Sequence, residues 1–452
     1  IVNSSTSGGE SLYNVEGFFG RVQYDYDSRI FASASYRRDA SSRFHPNHRW
    51  GNFWSVGGAW ILSKESWFPK TDLVNMLKIK ASYGEQGNDN LSSSFYWTDY
   101  YTITNSNDKV AYTFNWKGNP DITWETTGSF NTGIEFELFN NRFSGQIEYY
   151  WRKTRDMLYF YSVPSSLGYS GYYDNIGDMV NQGVEFSLNI TPVRTKDVTW
   201  DLTANFSVEK NRVTRLPDTS HRINLDGHWG YQSSYYFFGE GLPMYTWYIP
   251  QYTGPDESGQ PTWKVINADG TESRTTVYDA ATNVDCGTAM PTMYGGFGTS
   301  VSFFNFDISA NFTFNVGGLK LDNAYAGLMS APFASSYGGN IHRDALNGWN
   351  ETNTNSWTPR WQFNDMYNGM VSDYYLTSAN QLTFQNVQLG YTLPRSFTKK
   401  FYCNTLRVFF SVDNVAYWTA RKGFDPRVSR TMNDSGTYAP TRTFTGGLKI
   451  QF

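Results

Sequence analysis

The densest concentration of side chains able to recognise a ligand lies between residues 229 and 248, with Trp229, Tyr231, Tyr235, Tyr236, Phe237, Phe238, Tyr245, Trp247 and Tyr248. Aromatic faces stack on sugar rings and on peptide side chains. Trp229, Tyr235, Tyr236, Phe238, Tyr245 and Trp247 are therefore the candidate ligand-binding residues. Two other uses of these rings stay open: a girdle at a lipid–water boundary, or packing of the loop that carries them. Downstream, Asp256 and Glu257 sit in a Gly/Pro turn and could hold Ca²⁺, although an adjacent acidic pair in such a turn is usually only solvated. His45 and His48 have HxxH spacing but no cysteine or carboxylate partner in their loop, short of the ligands a zinc site needs. His221, His228 and His342 are isolated, and no metal site is expected. No nucleophile elbow, HExxH, phosphate-cradling loop or dinucleotide fingerprint occurs, so enzyme activity has no positive support and no cofactor is implied. The formal charge of -4 is too small to imply nucleic acid.

The elements that must position these residues are strands. Of 452 residues, 33 are Tyr, 33 Phe and 16 Trp, an excess that fits aromatic girdles at two membrane interfaces. Mean hydropathy is -0.53, and no apolar run approaches the roughly 18 residues of a membrane helix. A membrane barrel needs neither, because only alternate residues of each strand meet lipid. The alternation is clean. Phe306, Ile308, Ala310, Phe312, Phe314 and Val316 share one face, against Asp307, Ser309, Asn311, Thr313 and Asn315. Val198, Trp200, Leu202, Ala204, Phe206 and Val208 likewise oppose Thr199, Asp201, Thr203, Asn205 and Ser207. At the end of the chain Phe444, Leu448, Ile450 and Phe452 share a row with Gly446. Barrels of bacterial outer membranes often end so, and Phe452 is then a recognition signal for insertion.

Strand pairs with very short turns recur between long polar loops. The pairs are 14–27 with 29–40, 51–62 with 77–86, 126–139 with 142–156, 179–191 with 198–211, 293–304 with 306–316, and 381–393 with 405–415. The strand at 440–452 stands alone. Long excursions fall at 41–50, 87–125, 157–178, 212–292, 317–380 and 416–439. Short turns belong to the periplasm and long loops to the outside. The expected fold is all-β: a transmembrane antiparallel β-barrel with about thirteen strands here. An odd count that begins outside does not close a barrel, and open edges leave backbone unpaired in lipid. Residues 1–452 are thus expected to be the C-terminal portion of a larger barrel. The polar opening NSSTSGGES reads as part of a mature segment. Glu148, Arg152, Asp201 and Arg407 are expected to face the lumen. Cys286 falls in an external loop and Cys403 in a periplasmic turn, so the two are expected not to bond.

Several stretches, in order, resemble one family: FFGRVQYDYDSRIFASASYRRDASSRF, NHRWGNFWSVGGAWILSKESWF, LKIKASYGEQGN, NPDITWETTGSFNTGIEFELFNNRFSGQIEYYWRKTRDML, NIGDMVNQGVEFSLN, PTMYGGFGTSVSFFNFDISANFTF, QLTFQNVQLGYTLP and VDNVAYWTARKGFDPRV. Together they resemble the SusC-like (SusC/RagA) TonB-dependent transporters of Bacteroidetes, over nearly the whole chain apart from loop interiors. The resemblance implies a barrel of about 22 strands closed by an N-terminal plug. It implies a TonB box pulled by TonB, ExbB and ExbD, and a SusD-like surface lipoprotein as a lid. The cargo would be oligosaccharides or peptides, and the surroundings outer-membrane lipids. The loop aromatics would then line the ligand cavity or pack against the lid. Plug, TonB box and early strands are absent from this sequence. A passive porin-like channel, an unlidded siderophore or cobalamin receptor, and a soluble carbohydrate-binding or adhesive β-protein are the rival readings.

Overall fold

The computed structural model describes residues 12–91, 93–106, 109–169, 171–217, 222–331, 339–365, 367–428 and 440–452. The opening polar run, His221 and residues 429–439 of the last loop lie outside them. Thirteen strands form one antiparallel sheet in sequence order. They are β1 (Val15–Tyr26), β2 (Ile30–Ser41), β3 (Trp50–Ile61), β4 (Val74–Asn88), β5 (Glu125–Leu138), β6 (Phe143–Arg155) and β7 (Asp178–Arg194). The sequence continues with β8 (Val198–Arg215), β9 (Met293–Phe303), β10 (Phe306–Val316), β11 (Gln381–Thr392), β12 (Thr405–Thr419) and β13 (Thr443–Gln451). All thirteen expected strands are present, with modest boundary shifts such as β4 opening at Val74 rather than Leu77.

The tight connections follow local chemistry. Asp27 and Ser28 both take positive φ, at 52° and 51°, and Arg29 N–H donates to Tyr26 O at 3.1 Å. Two successive left-handed residues match the twist of the flanking strands. Phe139, Asn140 and Asn141 turn β5 into β6 with positive φ as well.

Two compact units carry the chain, divided within β6, β7 and β8. In the first, Val22, Ala34, Val56, Tyr83 and Phe130 stand in one cross-strand row, and Gln23, Ser33, Gly57, Ser82 and Asn131 in the adjacent row of opposite face. In the second, Trp200, Val301, Ile308, Leu389 and Phe410 form an apolar row over five strands. Its polar neighbour is Asp201, Ser300, Ser309, Gln388, Ser411 and Thr445. Ile308, Leu389, Val408, Phe410, Phe444 and Leu448 are all exposed, so no second sheet among the described residues covers the apolar face. A water-soluble sandwich would bury that face against a second sheet. Here only hydrocarbon suits it.

The loops differ most from expectation. The segment between β8 and β9 holds a five-stranded sheet (223–225, 228–233, 236–239, 246–250 and 283–288) and a three-stranded one (252–255, 261–266 and 272–275). Hairpins also fold at 100–116 and 158–175, and a helix spans Asn323–Met329 with Asp322 as its cap, its side chain accepting from Tyr325 N. These strands are three to six residues long in the two loop sheets. Too short to show a period, they are broken by Gly and Pro and carry no strand signal of their own.

The facing assignment makes a direct prediction. Ile308→Lys should cost about 2–4 kcal/mol of stability in lipid vesicles, whereas Ser309→Lys should cost well under that. Chemical unfolding of the two variants in the same vesicles measures the difference, and equal losses would refute the assignment.

Candidate functional site

The polar face carries paired charge on local gaps in the side-chain cover. In the first unit Lys80 Nζ lies 3.1 Å from Glu148 Oε2 and donates to Gln146 Oε1 at 3.1 Å. Lys78 pairs with Glu135 at 3.1 Å on the same face. A Cβ on Gly133 would meet Glu148 Cα at 3.1 Å, so the missing side chain lets Glu148 lie along the strand. Arg152 stacks over the Tyr150 ring, 4.9 Å from its centroid. Gln23, Ser33, Gly57, Ser82 and Asn131, with Lys80 and Glu148, line an open depression of about 510 Å³. In the second unit Asp201 accepts from Thr191 Oγ1 at 2.7 Å. Arg407 reaches from β12 across Gly390 of β11 to Asp307 of β10, with Nε donating to Oδ1 at 3.1 Å and Nη2 to Oδ2. A Cβ on Gly390 would collide with both partners. Glu148, Asp201 and Arg407 thus each bond within the polar face on which the sequence places them.

The loop aromatics occupy different environments. Trp247 is fully buried and its Nε1 donates to Leu319 O at 2.9 Å. Around it pack Tyr236, Ile249, Leu321, Ala326, Met329 and Tyr375, with Tyr235, Phe238 and Tyr245 partly buried at the margin. The loop after β8 and the loop after β10 therefore share one core. Trp229 stays 48% exposed on the five-stranded sheet. A further tie was not recognised in the sequence, although RKGFDPRV contains it. Arg421 pairs with Asp322 and lies over the Tyr325 ring, Lys320 Nζ donates to Pro426 O, and Asp425 accepts from Arg427 Nε at 2.8 Å. The contacts of Arg421 and Lys320 join the loop after β12 to the loop after β10, and the Asp425–Arg427 bond closes a turn within the former. The first unit has its own loop core of Phe44, Leu91, Tyr96 and Ile122, flanked by Trp97, Trp116 and Trp124.

The remaining candidates resolve locally. Asp256 Oδ1 accepts from Ser258 N, Ser258 Oγ and Gln260 N, each at 2.8 Å. Burial alone would raise its carboxyl, but the bonds from Ser258 and Gln260 and the charge of Arg360 hold it below the usual range. The carboxylate is thus engaged in closing its own turn. His48 Nε2 lies 3.5 Å from Asp121 Oδ1, a partner the sequence did not suggest. Among the described residues no cluster of three or more His, Cys, Asp or Glu is placed to hold a metal. Cys286 and Cys403 are both free thiols. Burial first, and then Asp373 and Asp285, push the Cys286 thiol up to about 12. Phe452 is 80% exposed at the end of the apolar row of β13.

Two outcomes follow from this geometry. Trp247→Ala removes the peg of the loop core, a change worth about 3–5 kcal/mol where a buried Trp is lost. Limited proteolysis should then cut within 212–292 while the strands stay protected; an uncut loop would contradict the packing. The raised thiol pKa means Cys286 stays protonated well past pH 9, and only the thiolate is nucleophilic. Iodoacetamide at pH 8 should label Cys403 in the folded protein and spare Cys286, with both labelled after denaturation.

Residues 2–328 match the family model described as TonB dependent receptor-like, beta-barrel. The chain is similar to TonB-dependent receptor P3 of Formosa agariphila, 29% identical over 460 residues, covering 96% of this chain and 45% of that protein. It is also similar to TonB-dependent receptor SusC of Bacteroides thetaiotaomicron, 27% identical over 464 residues, covering 96% and 43%. Among solved structures, that of the RagAB peptide transporter aligns with a TM-score of 0.84 at 28% identity, covering 97% of this chain and 48% of that one. The RagAB peptide importer in its open-open state aligns with a TM-score of 0.82 at 27% identity, covering 97% and 47%. The chain spans about half the length of the curated relatives it matches. With the family model covering most of its length, the chain belongs to the TonB-dependent receptor-like β-barrel family of the outer membrane.

Proposed function

We propose that this chain is the C-terminal part of the barrel of a TonB-dependent importer that takes up oligosaccharides or peptides beneath a SusD-like lipoprotein lid. The observation that carries the reading is the close structural likeness to a peptide transporter, over almost the whole chain, at 28% identity. The polar face supplies a wet wall of fixed ion pairs, which a hydrated cargo can pass without stripping bare charges. The loop cores give the lid a firm surface. Among the six aromatic candidates, Trp229 keeps an open face for a ligand or for the lid, while Trp247 and Tyr236 are buried in the loop core.

Energy would arrive through TonB, ExbB and ExbD acting on an N-terminal plug. The strands that complete the barrel would pair with the edges β1 and β13, and Phe452 would serve as the insertion signal. The reading needs no cofactor. Deleting TonB tests it: uptake and growth on the cargo should be lost, and persistence of both would sink the importer reading in favour of a passive pore. Mild extraction of outer membranes should co-purify a SusD-type lipoprotein in stoichiometric amount. Plug peptides without that lipoprotein would instead mark an unlidded siderophore or cobalamin receptor.

A further inference from the structure

At the tight-turn end of the sheet, four connections need only residues 27–29, 139–142, 195–197 and 304–305. Two are longer, 62–73 between β3 and β4, which contains Glu65 and Asp72, and 393–404 between β11 and β12. The latter runs Leu393-Pro-Arg-Ser-Phe-Thr-Lys-Lys-Phe-Tyr-Cys-Asn404 and winds into two short helical turns, Arg395–Thr398 and Lys399–Phe401. Only Thr398 is buried. Phe397, Phe401 and Tyr402 point outward, the last 92% exposed, and the rings of Phe397 and Phe401 lie 5.3 Å apart. Arg395, Lys399 and Lys400 are exposed, and none forms an ion pair among the described residues. No acidic residue occurs between Thr392 and Thr405.

We infer that this connection is a lipid-headgroup anchor, in which Arg395, Lys399 and Lys400 bind the phosphate of anionic glycerophospholipids while Phe397, Phe401 and Tyr402 sit among the glycerol and upper acyl groups. Continuity with the apolar face supports this. The outward row Phe306, Tyr391, Val408 and Leu448 and the next pair, Leu406 and Ile450, lead to this end. Leu393 N–H donates to Leu406 O at 2.9 Å, and Asn404 N–H to Gln451 O at 2.7 Å, which holds both ends of the connection against that face. Rings with cations beside them suit the boundary where hydrocarbon gives way to phosphate. Charge complementarity selects the anionic headgroup. A protein partner fits less well, because so small a projection offers far less than the roughly 800 Å² per side of a stable interface. Short turns face the periplasm, so the ligand is a phospholipid of the inner leaflet, not lipopolysaccharide. The inference concerns the barrel's seat in the membrane and stands whatever the cargo is.

The test uses the intact membrane protein reconstituted in vesicles of phosphatidylethanolamine containing phosphatidylglycerol. Native mass spectrometry after gentle release should find phosphatidylglycerol bound to the wild type. The triple variant R395Q/K399Q/K400Q should retain about tenfold less or lower, since each cation near an anionic surface contributes a few-fold. Heat-modifiable gel migration confirms that both forms are folded. Equal retention, or none in the wild type, overturns the proposal. A second readout is independent of charge: a fluorophore on Cys403, in a form where it is the sole cysteine, should be quenched by lipids brominated near the glycerol. Quenching by aqueous iodide with no response to brominated lipid would place the connection in water and overturn the anchor.

Discussion

A backbone crossing hydrocarbon must bond all of its own N–H and C=O groups, since an unpaired one costs several kcal/mol there. The thirteen-stranded sheet meets that demand strand by strand from β1 to β13. The chain's other features follow. Because pairing uses up the backbone, only side chains can separate lipid from water, and they do so by alternation. Trp200, Val301, Ile308, Leu389 and Phe410 present one continuous apolar line, while their sequence neighbours Asp201, Ser300, Ser309, Gln388 and Ser411 present a polar one. The constraint also reaches the edges. Among the described residues β1 and β13 are each paired on one side only, and an open strand edge in a bilayer leaves backbone groups unpaired.

Two of the charges on the polar face meet partners across a glycine. Arg407 and Asp307 sit two strands apart and meet only because Gly390 offers no side chain between them. Gly133 plays the same part beneath Glu148, which can then receive Lys80. A paired charge is neutralised by its neighbour, whereas an unpaired arginine or glutamate attracts counter-charged solutes. Under the importer reading, a transport wall would benefit from the first arrangement.

Strands were legible in the sequence and loops were not, for the same physical reason. A membrane strand repeats its period over ten or more residues, so Phe306 to Val316 declares both faces without ambiguity. The loop strands, such as Tyr236–Gly239 or Tyr252–Pro255, are too short to repeat and owe their form to contacts far away in sequence. Side-chain environment is harder still. Trp247 and Trp229 look alike as letters, yet one is buried under Leu319 and Leu321 and the other is open. The tie through Lys320, Asp322 and Arg421 was equally hidden, because its partners lie about a hundred residues apart.

The burial of Trp247 changes what the loops can do. An aromatic cluster free in solution would adapt to many ligands at the cost of ordering them on each binding event. Here Tyr236, Trp247, Ile249 and Tyr375 are already ordered by one another, and the loop after β12 is clamped to the same body by Arg421 and Lys320. Such a scaffold has little entropy left to lose. Under the importer reading, selectivity then rests with the few rings and polar groups left on its surface, Trp229 among them. Variation at those positions can retune recognition without disturbing the core that holds them, and the strands below need not change at all.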